Sequence, residues 1–140
     1  MRPKIVRTLA AALLCLTLTA CNSGFTGYDN DIQVANSNSW FASSQSSSET
    51  NTHFKMTCDN CSGVKTIASV AVAENPTVTI TLNIDAGRFK VVFVQGTKVY
   101  LITDSSTQGT VSTTGIPAGV YKMRIVAEQA KFQIDVTFAG

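Results

Sequence analysis

The sequence carries little charge, has a single histidine and contains no apolar run long enough to cross a bilayer. Its longest apolar to weakly polar run, residues 8–20, has 13 residues, whereas a transmembrane helix needs about 20. A catalytic triad or a Cys-His pair would have to use His53, which lies next to a serine-rich segment that cannot hold partners at a fixed distance. No GxSxG, HExxH or P-loop spacing occurs. We therefore expect no permanent transmembrane helix, no enzymatic activity and no cofactor.

Three basic residues precede the apolar run: Arg2, Lys4 and Arg7. This charge order is typical of a secretory signal peptide, so residues 1–20 are predicted to be removed on export. Removal takes three of the 11 basic residues and none of the nine acidic ones. The mature chain therefore has a formal net charge of 8 − 9 = −1. Because no cluster of lysine and arginine survives cleavage, we expect no nucleic-acid partner.

The signal peptide ends in Leu18-Thr19-Ala20-Cys21, a branched apolar residue and two small residues before a cysteine. This resembles the lipobox of bacterial lipoproteins. The resemblance implies that the Cys21 thiol receives a diacylglyceryl group, that a dedicated signal peptidase cuts before it, and that lipoprotein-processing enzymes act on the precursor. It also implies an extracytoplasmic protein held by lipid at the cell membrane or the outer membrane. An ordinary cleaved signal, with a cysteine there by chance, is the alternative.

Residues 21–50 have the composition of a linker, rich in Ser, Asn, Gly and Thr with apolar residues scattered singly. We predict a lipid-anchored, disordered tether about 30 Å long, which lifts the domain clear of the head groups. Trp40-Phe41 is the exception. A short first strand or a flap that packs on the domain is the favoured interpretation, and an exposed aromatic platform for a sugar ring or a partner is the other.

From residue 51 onward the hydrophobic pattern predicts strands. Residues 77–85 and 131–139 alternate strictly between apolar and polar side chains, so each strand buries one face. Further strands are predicted at 52–57, 64–73, 88–95, 98–103, 109–114 and 120–128. Short strands separated by Gly, Pro and Asp turns predict an all-β domain over residues 51–140, an antiparallel two-sheet β-sandwich of seven or eight strands.

The strand predicted at 88–95 is apolar on both faces. Phe89, Val91 and Phe93 fill one face, and Val92 and Val94 occupy much of the other. Such a strand is typical of the centre of a sheet. We expect its second face to be covered by a loop or by the Trp40 segment.

A second resemblance lies near the carboxyl end, in the stretch Gly115-Ile116-Pro117-Ala118-Gly119-Val120-Tyr121. It resembles the closing hairpin of bacterial pre-peptidase-type and jelly-roll accessory domains. This resemblance covers about 25 residues and implies a jelly-roll-like accessory module, of a kind that in some cases binds glycans or partner proteins. It implies no functional residue, because Gly and Pro are common in the turns of many unrelated folds.

Cys58 and Cys61 form a CxxC between two predicted strands. A disulfide is the favoured interpretation, since an exported chain meets an oxidising compartment. Free or redox-active thiols are a second interpretation, although no helix is predicted to activate them. Metal binding with His53 as a third ligand is the least favoured interpretation, because a structural zinc site needs four ligands. We predict no metal site.

Two functions stay open for such a domain. The first is a surface-tethered binding module for a glycan, the cell wall or an envelope protein, with Trp40, Tyr100 and Tyr121 as candidate ligand-binding residues if they share one exposed surface. The second is a structural or accessory subunit of an envelope complex. A contiguous apolar patch would favour the second function, and its candidate members are Val92, Val94 and Ile102.

Overall fold

The computed structural model describes residues 25–50 and 52–138. These residues form one short helix and six strands: α1 (Asp31–Asn36), β1 (Trp40–Glu49), β2 (His53–Val72), β3 (Thr77–Gln95), β4 (Lys98–Thr103), β5 (Thr107–Ser112) and β6 (Gly119–Thr137). The predicted all-β class is confirmed. The signal peptide over residues 1–20 and the lipidation site Cys21 lie outside the described residues. Across the described ranges, no helix is both long enough and apolar enough to span a bilayer.

The six strands form one antiparallel sheet and not two separate sheets. Its order is β1-β2-β6-β3-β4, and β5 pairs with β3 beside β4. The three central strands are long, with 20 residues in β2 and 19 each in β3 and β6. Each of them joins two of the short strands that the sequence predicts. The predicted division into two sheets is therefore not confirmed.

Residues predicted to form turns between short strands lie inside the long strands instead. Asn60 in β2, Gly87 in β3 and Gln129 in β6 have φ angles of 51°, 72° and 47°. The pairing of β2 and β3 with β6 shifts register at these places. Such β-bulges bend a strand without ending it. The local backbone conformation suits a turn, but its effect here is a bend across three neighbouring strands, which we call the crease.

The chain connections require a sharp bend at this crease. Val72 pairs with Gly119 at the start of β6, whereas Thr79 pairs with Thr137 at its end. Thr77 nevertheless begins β3 five residues after Val72. Five residues reach at most about 18 Å, and a flat strand of 19 residues would be about 60 Å long. The sheet must therefore fold back on itself and bring its two ends together.

The main hydrophobic core fills the space between the two halves of the folded sheet. Phe89 and Phe132 meet near the crease with ring centroids 4.0 Å apart. At the far end, Val70 of β2 and Val78 of β3 line one small cavity with Phe138. Side chains from both halves belong to this one core, among them Phe54, Met56, Ile80, Leu82, Phe93, Met123 and Ile125. One bent sheet thus encloses a core that two sheets were predicted to enclose.

A second, smaller core lies on the outer face of the sheet and is closed by the N-terminal segment, residues 25–39. Its apolar contacts come from Phe25, Tyr28 and Val34, which cover valines of the central strands: Val64, Val92, Val94 and Val126. The side chain of Asn30 caps α1 by accepting hydrogen bonds from the main-chain N–H groups of residues 32 and 33. The expected cover over Val92 and Val94 is present, and the N-terminal segment provides it.

The described part of the predicted tether is therefore structured. Residues 25–39 pack on the sheet, and β1 adds an edge strand that pairs with β2 from Trp40 to Glu49. The stretch Tyr28-Asp29-Asn30 leads into α1, which begins at Asp31. Single apolar residues among serines and asparagines suffice here, because each fills a specific place against the valine-rich outer face of the sheet.

Candidate functional site

The CxxC lies in the bulge of β2, where the pairing with β6 shifts register. Cys58 and Cys61 are both buried and disulfide-bonded, with their Cα atoms 6.2 Å apart. This separation is within the range that a disulfide spans. His53 contacts Asp135 of β6 instead of the cysteines. Residues 25–50 and 52–138 contain no group of three or more His, Cys, Asp or Glu side chains placed to hold a metal ion.

The three predicted ligand-binding aromatics do not form one exposed surface. Tyr121 is only 1% exposed, and its hydroxyl donates a hydrogen bond to the main-chain oxygen of Pro117 over 2.6 Å. The half-buried Tyr100 packs edge-on against Tyr121, with centroids 5.8 Å apart. Trp40 begins β1, at the opposite edge of the sheet from β4, which carries Tyr100. The inward position of Tyr121 was readable from its alternation with Met123 and Ile125.

The apolar patch expected for an accessory subunit is also not on the surface. Val92 and Val94 lie under the N-terminal segment, and Ile102 belongs to the main core. All three side chains are at most 7% exposed. Their apolar character is explained by packing within the chain.

A polar groove of about 290 Å³ lies at the crease and is the site that sequence reasoning missed. Acidic and basic side chains enter it beside the bulges: Asp59 from β2, Asp85 from β3 and Lys131 from β6. Its rim also carries the side chains of Ser44, Gln45, Ser46, Thr57 and Gln133, and it reaches down to Cys58 and Phe132. Because four strands contribute, no single stretch of sequence signals this crease groove.

Hydrogen bonds hold several groups around the crease groove in place. The Trp40 Nε1–H donates to Oε1 of Gln45 over 2.8 Å, and the Ser43 hydroxyl donates to the main-chain oxygen of Asp59 over 3.0 Å. The Asn83 amide donates to Oδ1 of Asp85 over 3.1 Å. The disulfide fixes the strand beneath them. The groove thus presents carboxylates, an ammonium group, amides and hydroxyls on a braced support.

A second concave surface lies where the described chain begins. Phe25, Trp40 and Phe41 line a cavity of about 260 Å³ together with Ser39 and Ser62. Phe25 is buried in the smaller core, Trp40 is partly buried against the main core, and Phe41 is 47% exposed. The Trp40-Phe41 pair therefore combines the two interpretations that the sequence left open, since one ring packs and the other faces solvent.

Charged side chains surround Tyr28 at the edge of the smaller core. The Arg88 guanidinium lies 3.9 Å and the Lys90 ammonium 4.4 Å from the centre of its ring. Arg88 also donates hydrogen bonds to the carboxylate of Asp29 over 2.6 and 3.0 Å. Burial raises the pKa of Tyr28 to about 12, although the Arg88 charge acts in the opposite direction. This cluster fastens the N-terminal segment to β3.

Comparison of the chain with protein-family models, with curated proteins and with solved structures found no match.

Proposed function

We propose that this protein is a lipid-anchored extracytoplasmic binding module whose crease groove takes a polar ligand of the envelope, a glycan or a cell-wall polymer. The observation that carries the proposal is the convergence of polar side chains from four strands on the crease. Bulges next to one another in a sheet are a recognised way to aim side chains at a site. The facing halves of the bent sheet also support a sandwich-like, jelly-roll-type accessory domain.

The chemistry of the crease groove supports a ligand rich in hydroxyl and amide groups. Sugars and cell-wall polymers present donors and acceptors side by side. Asp59 and Asp85 offer acceptors, Lys131 offers a donor, and the amides of Gln45 and Gln133 offer both. Hydrogen bonds to charged groups contribute about 1.5 to 3 kcal/mol each, so a few of them give measurable affinity. An envelope protein is the other class of ligand.

Binding should be measured with the purified full-length protein in detergent against a glycan array and purified cell wall. The groove variants are Asp59→Asn and Lys131→Gln, and the matched controls are Asp104→Asn and Lys98→Gln. All four side chains are exposed, but only the first two line the groove. We expect each groove variant to weaken binding about tenfold, which corresponds to one lost charged hydrogen bond. The controls should bind like the wild type.

Two results would count against the groove as a glycan site. The first is uniform failure to bind any glycan or wall fraction, and the second is equal weakening by groove and control variants. Capture of one purified envelope protein, lost in the Asp59→Asn and Lys131→Gln variants alone, would replace the glycan with a protein ligand.

The lipid anchor is supported by the lipobox and is tested separately. Cys21→Ser should leave the β-domain folded and move it from the membrane fraction to the soluble fraction. Mass spectrometry of the wild-type amino-terminal peptide should show cleavage before Cys21 and the added acyl chains. A Cys21→Ser chain that stays with the membrane, in a preparation free of precursor, would contradict the anchor.

A further inference from the structure

We propose that the surface formed by Phe25, Trp40 and Phe41 rests on the bilayer that holds the anchor, with the exposed aromatic rings in the interfacial layer. The partner is a lipid surface, and the domain does not stand away from it on a tether. This inference rests on the proposed lipidation of Cys21.

The distance along the chain limits how far the folded domain can be from its anchor. Phe25 follows Cys21 by four residues, and four residues reach at most about 14 Å. Phe25 itself is held in the smaller core against the sheet. A lipid on Cys21 would therefore enter the membrane within about 14 Å of Phe25. This is about half the 30 Å expected from a tether that extends to residue 50.

The residues beside Phe25 are suited to that position. Phe41 is 47% exposed, whereas the other exposed positions of β1 carry mostly serine. A large apolar side chain at such a position is unusual for this strand. Trp40 keeps part of its ring exposed while its N–H group is satisfied by Gln45. Tryptophan and other aromatic side chains with one polar and one apolar side are enriched where a membrane meets water. The packing within the chain does not account for the exposed Phe41 ring, and a lipid surface does.

Charge contributes little to this contact. A cavity adjoining Phe25 is lined by Thr26, Glu128 and Gln129. The carboxylate of Glu128 lies 3.4 Å from the Arg88 guanidinium, so it is already paired. No basic side chain lines this cavity or the one formed by Phe25, Trp40 and Phe41, within the residues that the structure describes. We therefore expect the contact to be the same on neutral and on anionic lipids.

Trp40 is the single tryptophan of the chain and reports directly on the contact. The purified full-length protein, with its acylation verified by mass, is reconstituted in phosphatidylcholine vesicles with or without bromine on the acyl chains. Bromine quenches only indole rings that reach the interfacial layer. We expect the Trp40 emission to be lower in brominated than in unbrominated vesicles, because an interfacial tryptophan lies beside the upper part of the acyl chains. Phe41→Ser, which changes an exposed side chain, should reduce the quenching.

The control moves the reporter to the opposite edge of the sheet. Leu101 in β4 is 52% exposed, so a Trp40→Phe, Leu101→Trp double variant carries one exposed indole on the strand at the opposite edge of the sheet from β1. We expect no quenching in this variant. Quenching equal to that of Trp40 would overturn the proposed orientation. A glycan that protects Trp40 from an aqueous quencher, with no effect of brominated lipid, would assign the surface to a soluble ligand and overturn the proposal as well.

The same preparation separates the two proposals. A protein that carries the lipid on Cys21 but shows unquenched Trp40 keeps the anchor and refutes the resting surface. A mature protein without the lipid refutes the anchor and the surface together.

Discussion

The guanidinium of Arg124 donates a hydrogen bond to the main-chain oxygen of Val34 over 2.5 Å, across 90 positions of sequence. Arg124 is 2% exposed, and burial lowers the pKa of its guanidinium. No carboxylate bonds to it among the described residues. Its remaining donors are used by four other oxygen atoms, on Ala35, Ser37, Asn38 and Thr66. One buried cation thus fastens the end of α1 to the centre of the sheet.

We expect Arg124→Met to loosen the N-terminal segment. The main-chain oxygen of Val34 would lose a buried hydrogen bond, and those of Ala35 and Ser37 would lose partly buried ones. We expect the loss to cost about 3 kcal/mol of unfolding free energy. Urea denaturation and limited proteolysis of the amino end should both register the change. Lys122→Met alters another basic residue of β6 that is exposed, and it should change the unfolding free energy by less than about 0.5 kcal/mol. Equal effects of the two substitutions would contradict this role of Arg124.

Removal of the N-terminal segment tests whether it is part of the fold. A soluble chain that begins at residue 40 would expose Val92, Val94 and Val126, whereas one that begins at residue 25 keeps them covered. We expect the shorter chain to bind a hydrophobic dye more strongly and to unfold at a lower urea concentration. Two chains with the same urea midpoint would show that the segment is only a tether.

The sequence predicts a strand well where one face of that strand is buried and the other is exposed to solvent. Residues 77–85 and 131–139 alternate strictly. Residues 77–85 lie in β3, and residues 131–137 lie in β6. The sequence did not show that Gly87 and Gln129 continue their strands, because a left-handed residue serves a turn or a bulge equally well. Only pairing with the neighbouring strand decides between the two. The sequence therefore predicts two sheets where the structure has one.

The candidate site was harder to predict than the fold. Each side chain of the crease groove is unremarkable in its own strand, and Asp85 reads as an ordinary polar residue at a turn. The groove exists because three bulges align across the sheet, a relation between residues up to about 70 positions apart. The packing of the N-terminal segment is unpredictable for a related reason. Phe25 and Val34 are buried only because they contact valines of β3 and β6, which are distant in sequence.

The disulfide should resist alkylation but contribute modestly to stability. Intact mass without reductant should show Cys58 and Cys61 unmodified, and two adducts should form only after reduction. The ring it closes is short, so the chain-entropy model gives about 2 kcal/mol or less. A Cys58→Ala, Cys61→Ala double variant should unfold at a slightly lower urea concentration. Two alkyl adducts on the unreduced protein would mean that the thiols are free.

High pH should weaken the attachment of the N-terminal segment through Tyr28. Burial raises the pKa of Tyr28 from 10.0 to about 12. A raised pKa in the folded state gives stability that is complete below the unfolded value and is lost as the pH rises through the folded value. The loss should therefore fall between about pH 10 and 12. Tyr28→Phe keeps the ring beside Arg88 and Lys90 but cannot ionise.

The measurement for Tyr28 is a pair of urea titrations across this range. The wild type should lose stability relative to Tyr28→Phe above about pH 10, while the difference between the two chains stays constant at lower pH. Absorbance of the phenolate follows the ionisation directly. A difference that does not change with pH would show that Tyr28 is not held neutral by the fold.

The crease depends on Gly87, and a comparison with Gly96 isolates the reason. Both glycines have positive φ, 72° and 60°. A Cβ atom at Gly87 would overlap the main-chain oxygen of Gln129 in the neighbouring strand, whereas one at Gly96 would meet nothing within 4 Å. Gly96→Ala should cost about 1 to 2 kcal/mol for the left-handed conformation alone. Gly87→Ala should cost about 1 to 3 kcal/mol more, because the bulge must open.

Urea denaturation of the two alanine variants decides the question, and ligand binding extends it to function. The bulge at Gly87 adjoins Asp85, so a chain that still folds with Gly87→Ala should bind its glycan or wall ligand more weakly. Gly96→Ala lies in the β3–β4 turn and should bind normally. Equal losses of stability would mean that the close approach to Gln129 does not constrain the sheet. Because the bend at the crease creates the groove, an opened bulge that left binding intact would also separate the groove from the proposed activity.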